Sequence, residues 1–448
     1  MLRYLLMAML PALLLTANQI TAQTTTTIDT SMVIDAKRDC GAVGDGIADD
    51  TLAIQRALDM AVGDTTLRFP ETPRTAPRRV FIPAGTYRIT RTLLMTSAHT
   101  NLRLEGAGSY GGPMRAMTRL LWDSDEHSVL MQSYGQLGLV MSDICFDGNH
   151  KAQAAFALDS IDKDTSDPQL LKRFGGRAGA LHVVTRCTFA NATVGYRCGK
   201  DSWTCASDMS FYDCTFSSCR TGFLTMADQN LNYLFMRPNV GMSNIGIHFA
   251  KGGSATINQL NGHSLRTALK IDKGGINAGT FSINGMRVES RPFGGYDKSP
   301  RSSFMNPAEP ESSDIRRTSL LDVAGETNVF VNGMLTTCMG IAGNNGDDQT
   351  PMIHVRDGAQ LRIVSSQFSG MIADISTSSD KPVSWLSIKD SRFRFLADPR
   401  ERITCDANSG YELTNSIVFD DHIDPEKGYR INGSQFIPLL QKLPVSSQ

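Results

Sequence analysis

The stretch Asp39-Cys-Gly-Ala-Val-Gly-Asp-Gly-Ile-Ala-Asp-Asp-Thr-Leu-Ala-Ile-Gln-Arg-Ala-Leu58 decides how the rest of the chain is read. It is a glycine loop running into a short helix. Gly41, Gly44 and Gly46 lack a Cβ, so the backbone can turn tightly there. Asp49 and Asp50 are placed to offer carboxylates to the first free N–H groups of the helix, as N-caps do. Leu52, Ala53, Ile54, Ala57, Leu58 and Ala61 recur near the 3.6-residue period and give the helix one apolar face. Such a helix has to cover something.

What it covers follows at Val80-Phe-Ile-Pro-Ala-Gly-Thr-Tyr-Arg-Ile89, which reads as a strand, a Pro-Ala-Gly corner and a second strand. Together the two stretches resemble the N-terminal cap and first turns of the pectate-lyase-like superfamily, exported proteins built as right-handed parallel β-helices. That family opens on a Gly-Asp-Gly, Asp-Asp-Thr, Ile-Gln-x-Ala run and continues into a Pro-x-Gly-x-Tyr corner, and both are present here at the expected separation. The resemblance implies an all-β solenoid with a short N-terminal capping helix. It speaks to fold far more than to reaction.

Farther along, repetition supports a solenoid independently of the resemblance. Cys187-Thr-Phe189 recurs as Cys214-Thr-Phe216, and Val364-Ser-Ser-Gln-Phe368 is echoed by Ile388-Lys-Asp-Ser-Arg-Phe393. Asn-Gly pairs at Asn261, Asn284 and Asn332 are expected at one corner of successive repeats. Each unit holds short strands between Gly, Asn or Asp corners, and one unit cannot bury its own inner face. Successive units therefore stack in parallel around a shared core. Gly106, Gly108 and Gly111 match a dinucleotide fingerprint, but Pro113 and the strand Thr118–Trp122 follow where that motif requires a helix. Residues 159–178, 290–318 and 343–351 interrupt the period with polar and proline-rich excursions, as loops edging a groove do.

The first 22 residues carry one basic residue, an apolar run too short to span a bilayer comfortably, and small residues at Ala17 and Ala22. They read as a secretory signal peptide, a membrane anchor being the alternative. The β-helix domain is expected over 30–436, with a closing cap from Asp420 and a tail at 437–448. Export implies a secreted, periplasmic or cell-surface location. The charge balance, 44 basic against 45 acidic residues, gives no support to a nucleic-acid or anionic-membrane partner. Nine cysteines, an odd number, leave at least one unpaired within a monomer, and free thiols stacked in the core are an alternative to disulfides.

Aligning the repeats places polar residues at one point on successive turns, about 4.8 Å apart. They are Lys200, Asp201, Asp228, Gln229, Asn230, His248, Lys251, Lys270, Asp272 and Lys273. Lysines can neutralise the carboxylates of an acidic glycan, and a crowded Asp, His or Lys can move a proton. Asp228, His248, Lys251 and Asp272 are the candidate catalysts, and Lys200, Asp201, Gln229, Asn230, Lys270 and Lys273 the substrate contacts. No cofactor is required. Calcium held by Asp201, Asp228 and Asp272 is an alternative suggested by the calcium-dependent pectate lyases. The polygalacturonases are echoed only partly, at Ala227-Asp228-Gln229, Asn261-Gly262-His263 and Leu269-Lys270-Ile271, without their paired aspartates or spacing.

The expected function is cleavage of a polysaccharide along the coil, with β-elimination of a uronic-acid glycan favoured by the mixed charge of the strip. A hydrolase using Asp228 and Asp272 is the rival among enzymes. A non-catalytic glycan-binding or adhesive β-helix is the rival outside them.

Overall fold

A computed structural model describes residues 33–62, 79–109, 112–159, 179–199, 206–227, 229–263, 265, 267–272, 279–290, 319–338, 352–369, 373–378, 380–394, 403–419 and 429–435. The chain divides into Met1–Val33 and Ile34–Gln448, and the stacked coils belong to the second unit. The expected signal peptide and tail, and nearly all of the three excursions, lie outside the described residues.

The repeating units do stack as parallel coils. One run of strands forms an eleven-stranded sheet from Leu93–Thr96 to Ile403–Cys405, and two further runs merge into a sheet of 23 strands. The register confirms the sequence repeats: Thr188 pairs with Thr215 and Phe189 with Phe216, as Phe368 does with Phe393. Asn284-Gly285 and Asn332-Gly333 also fall on one line. Asn261-Gly262 does not, because Asn258 is the residue opposite Asn284. An Asn-Gly pair is frequent at any left-handed corner, so the dipeptide alone could not fix its phase.

Between the two runs of the large sheet the chain bends at one left-handed residue per turn: Asp143, Arg186, Asp213, Arg237 and Gln259, then Gly285 and Gly333. Charge alternation steadies the corners that lack glycine. Arg186 forks onto Asp143 at 2.7 and 2.6 Å, and Arg237 onto Asp213 at 2.6 and 2.7 Å. At Gly106 a Cβ would come within 2.2 Å of the Asp143 carbonyl oxygen. The glycines there serve close packing of coil on coil, and no helix follows them.

Inward side chains repeat at the same place on each turn and stack. Phe146, Phe189 and Phe216 lie with ring centroids 5.1 and 5.6 Å apart, and Phe156 stacks on Tyr196 at 4.7 Å. All are fully buried, so the aromatic column supplies area burial and ring stacking together. Cys187 and Cys214 are buried in the same core as free thiols.

The helix Thr51–Met60 buries Ile54, Ala57 and Leu58. Its Gln55 side chain accepts a hydrogen bond from the Leu94 N–H at 2.8 Å and donates to the Leu94 carbonyl at 3.0 Å. Leu94 lies on the last strand of the eleven-stranded sheet, so Gln55 occupies the place of a neighbouring strand. Asp49 and Asp50 divide their work differently from the expectation. Asp49, one residue before the N-cap, accepts from the N–H of Thr51, the first helical residue, at 3.0 Å. Asp50 turns away and accepts from the N–H groups of Val43 and Gly44 at 2.6 and 2.9 Å, closing the glycine loop. Two free backbone donors brought together by the loop outcompete the helix end for its carboxylate.

Candidate active site

Along the eleven-stranded sheet, buried residues, nearly all apolar, flank one residue of the outer face: Tyr196-Arg197-Cys198, Phe223-Leu224-Thr225, Ile247-His248-Phe249, Leu269-Lys270-Ile271, Leu321-Asp322-Val323, Ile353-His354-Val355 and Ala373-Asp374-Ile375. The register aligns the middle residues into a single outer line, from Arg197 through Leu224 to His248. It continues through Lys270, Asp322, His354 and Asp374 to Thr404. Period-2 alternation with one face in the core is what forces these polar groups onto one face.

On that line the structure brings together three of the expected residues. His248 Nε2 lies 2.7 Å from Asp272 Oδ2, and Lys270 Nζ lies 3.5 Å from Asp272 Oδ1. Arg356 joins them, with Nη2 3.5 Å from Asp272 Oδ1 and Nε 3.1 Å from Asp322 Oδ1. Beyond Asp322, His354 stands 3.7 Å from that carboxylate and 3.5 Å from Asp374. Asp374 in turn accepts from the Thr404 hydroxyl at 2.7 Å.

The electrostatics follow from partial burial. Burial alone would raise the Asp272 carboxyl, but the His248 hydrogen bond and the charges of His248, Lys270 and Arg356 outweigh it and hold the group below its ordinary value. Burial pushes His354 down, Asp322 and Asp374 pull the other way, and the Arg356 charge adds to the lowering. Asp272 therefore stays ionised and His354 neutral near pH 7. Nε2 of His248 is directed at a carboxylate, so in the neutral form of the ring the proton sits on that nitrogen and Nδ1 carries the lone pair.

The remaining expected residues fall elsewhere. Asp228, Lys200, Asp201 and Lys273 lie outside the described residues. Gln229 is exposed at a corner where its carbonyl accepts from Ala206. Asn230 is buried, with its amide donating to the Gly252 carbonyl. Lys251 is half-buried in the corner after Ile245–Phe249. His263 packs against Gly241 on the other sheet, away from the line. Among the described residues no group of three or more His, Cys, Asp or Glu is placed to hold a metal ion, and no helix is long and apolar enough to cross a membrane.

Asp322, His354 and Asp374 were missed in the sequence, although the signal was there, and Arg356, which lies off the line, was missed with them. The 290–318 excursion follows Lys270 and hides the phase, yet the apolar–polar–apolar triplets resume unchanged after it.

Three comparisons bear on the chain. A family model described as rhamnogalacturonase A/epimerase, pectate lyase-like, matches residues 33–136. The mannuronan C5-epimerases AlgE2 and AlgE5 of Azotobacter vinelandii are each 32% identical over 120 residues, 25% of this chain and 10% of theirs. The chain thus spans about a tenth of the length of the curated relatives it matches. Among solved structures, the gp42 tailspike of Acinetobacter phage vb_AbaP_AS12 aligns at a TM-score of 0.52 and 9% identity, over 90% of this chain and 64% of the tailspike. That is a likeness of fold. With the Gly-Asp-Gly to Pro-Ala-Gly signature at its start and stacked parallel coils among the described residues, the chain fits the parallel β-helix fold of the pectate-lyase-like superfamily, whose family model matches its first coils.

Proposed function

We propose that this protein is a carbohydrate-active enzyme that acts outside the cytoplasm on a uronic-acid polysaccharide, removing the proton at C5 of a uronate ring. The observation that carries the reading is the half-buried His248–Asp272 pair flanked by the cations Lys270 and Arg356. A C5 proton is acidified by the neighbouring carboxylate only when that carboxylate's charge is neutralised. Lys270 and Arg356 are suited to that, Arg356 through a planar fork that matches a carboxylate. Asp272 orients the imidazole, and His248 Nδ1 takes the proton as general base.

Elimination completes the step. The C5–H electrons form the C4–C5 double bond, the C4–O4 bond breaks, and the departing oxygen takes the proton from the imidazolium. The described polar groups all project from one sheet face, which suits a base that returns the proton on the side from which it came. Epimerisation shares the first step but needs a proton donor on the opposite face of the ring. It is the second reading, favoured by the names of the matched relatives. Hydrolysis needs one carboxyl group protonated at working pH. Asp272, held low, is poorly suited to that role.

The test is a panel of uronate polysaccharides followed for new reducing ends and for near-ultraviolet absorbance of the unsaturated sugar. Elimination gives both signals together. Reducing ends without absorbance would favour hydrolysis; neither signal would leave epimerisation, read from the C5 configuration of the recovered uronates by NMR, or, with that unchanged too, a binding protein.

A further inference from the structure

On a different face, the outer side of the 23-stranded sheet, the strand Asn328–Cys338 presents Asn328, Phe330 and Asn332 outward, while Val329 and Val331 are buried. Phe330 is 43% exposed, although core positions elsewhere in the coil take aromatics readily. The Arg362 guanidinium stands on the next strand, 5.4 Å from the Phe330 ring centroid. Arg362 is exposed and has no carboxylate partner among the described residues. On the other side, Ser282 and Asn284 stand opposite Phe330 and Asn332, and the Asn284 amide donates to Asn258 Oδ1 at 3.0 Å.

We infer that this face is a second glycan-binding surface, taking an acidic polysaccharide with a sugar ring stacked on Phe330, its hydroxyls on the Asn284 and Asn332 amides and a carboxylate on Arg362. The geometry suits that ligand for physical reasons. An exposed aromatic on a sheet offers an apolar face of fixed orientation at low entropy cost. The cation held over that ring is poised beside whatever stacks there and has no carboxylate partner among the described residues. Asn side chains supply both donors and acceptors for hydroxyls, and neighbouring strands repeat them at about 4.8 Å. A lone exposed phenylalanine needs no explanation. One paired with an unmatched arginine and edged by an amide ladder forms a surface complementary to an anionic polymer.

This inference rests on the uronate reading for the choice of polymer, but its site is separate from the His248 line. A polymer long enough to touch both surfaces would gain avidity, and a short oligosaccharide would not. The test measures polymer retention by affinity electrophoresis in gels cast with uronate polysaccharides, alongside turnover of short oligosaccharides. Phe330→Ala and Arg362→Gln should each weaken polymer binding at least tenfold while leaving oligosaccharide turnover and melting temperature unchanged. Arg362→Glu, an exposed substitution that leaves the aromatic in place, should weaken it further. Wild-type retention in all three variants overturns the surface. Polymer binding that is lost in these variants, by a wild type that turns nothing over, would sink the catalytic reading and keep the surface. A wild type that retains no uronate polymer overturns the surface outright.

Discussion

The imidazole of His248 and the carboxylate of Asp272, on adjacent turns, meet at 2.7 Å on the outer face of the coil. Asp272 lies just past the end of its strand, where its N–H donates to the Phe249 carbonyl of the adjacent turn. If this pair performs proton abstraction, His248→Gln and Asp272→Asn should each lower turnover on the active glycan at least tenfold, about 1.4 kcal/mol of barrier. Neither residue belongs to the core, so thermal melting should barely change. Full activity in both variants would remove the pair from the mechanism.

Arg356 spans Asp272 and Asp322, which otherwise stand as neighbouring like charges. Arg356→Lys keeps the charge and loses the fork, and should raise KM for a uronate substrate more than it lowers kcat. Arg356→Met should lower both, because the substrate carboxylate, Asp272 and Asp322 each then lose one of their cationic partners. Equal kinetics for Lys and Met variants would count against carboxylate recognition by this side chain.

How much of this was legible depends on which physical rule wrote each feature. Glycine corners, apolar alternation and the Cys-Thr-Phe repeats are local, so the stacked coil could be read from sequence. The pairing of His248 with Lys270 was accessible too, since Ile-His-Phe and Leu-Lys-Ile share one phase. Arg356 was not. It sits two residues beyond the outward line, and its partners are the carboxylates of Asp272, 84 residues away, and Asp322, 34 residues away. Asp50 shows the same limit at short range, because its choice between helix and loop depended on two loop N–H groups that only the folded turn brings together.

The helix Thr51–Met60 offers two graded tests. Leu58 is fully buried, so Leu58→Asp should place an unpaired charge in the core and abolish soluble monomer. Gln55→Ala removes two hydrogen bonds to the end strand and should cost about 2 kcal/mol of stability. Calorimetry and size-exclusion chromatography read both outcomes. A monomeric Leu58→Asp protein with unchanged melting would contradict the packing described.

The core cysteines should be silent until the coil opens. Burial pushes Cys187 well up from the ordinary thiol value and Cys214 to about 12, so neither supplies thiolate at neutral pH. Mass spectrometry after brief native alkylation should find both unmodified, and alkylation in denaturant should label both. Rapid native labelling of either would mean that it faces solvent.

His182 sets an acid limit on stability. Burial lowers it to about 4, against a hydrogen bond to the Gln136 carbonyl that acts to raise it. The unfolded chain binds this proton below about pH 6.5 and the folded chain does not, so the contribution is present above that pH and is lost as pH falls toward 4. The loss amounts to roughly 3 kcal/mol over that window. His182→Gln, whatever its own cost, should flatten the fall in melting temperature between pH 6.5 and 4. An unchanged slope would place its titration elsewhere.

Proton abstraction by His248 can be followed at the C5 hydrogen itself. A uronate polysaccharide deuterated at C5 is incubated with the protein in ordinary water, and the sugars are analysed by mass spectrometry. Deuterium should be washed out at every ring that reacts, in wild type and at least tenfold more slowly in His248→Gln. Shortened chains that keep all of their deuterium would contradict proton abstraction at C5.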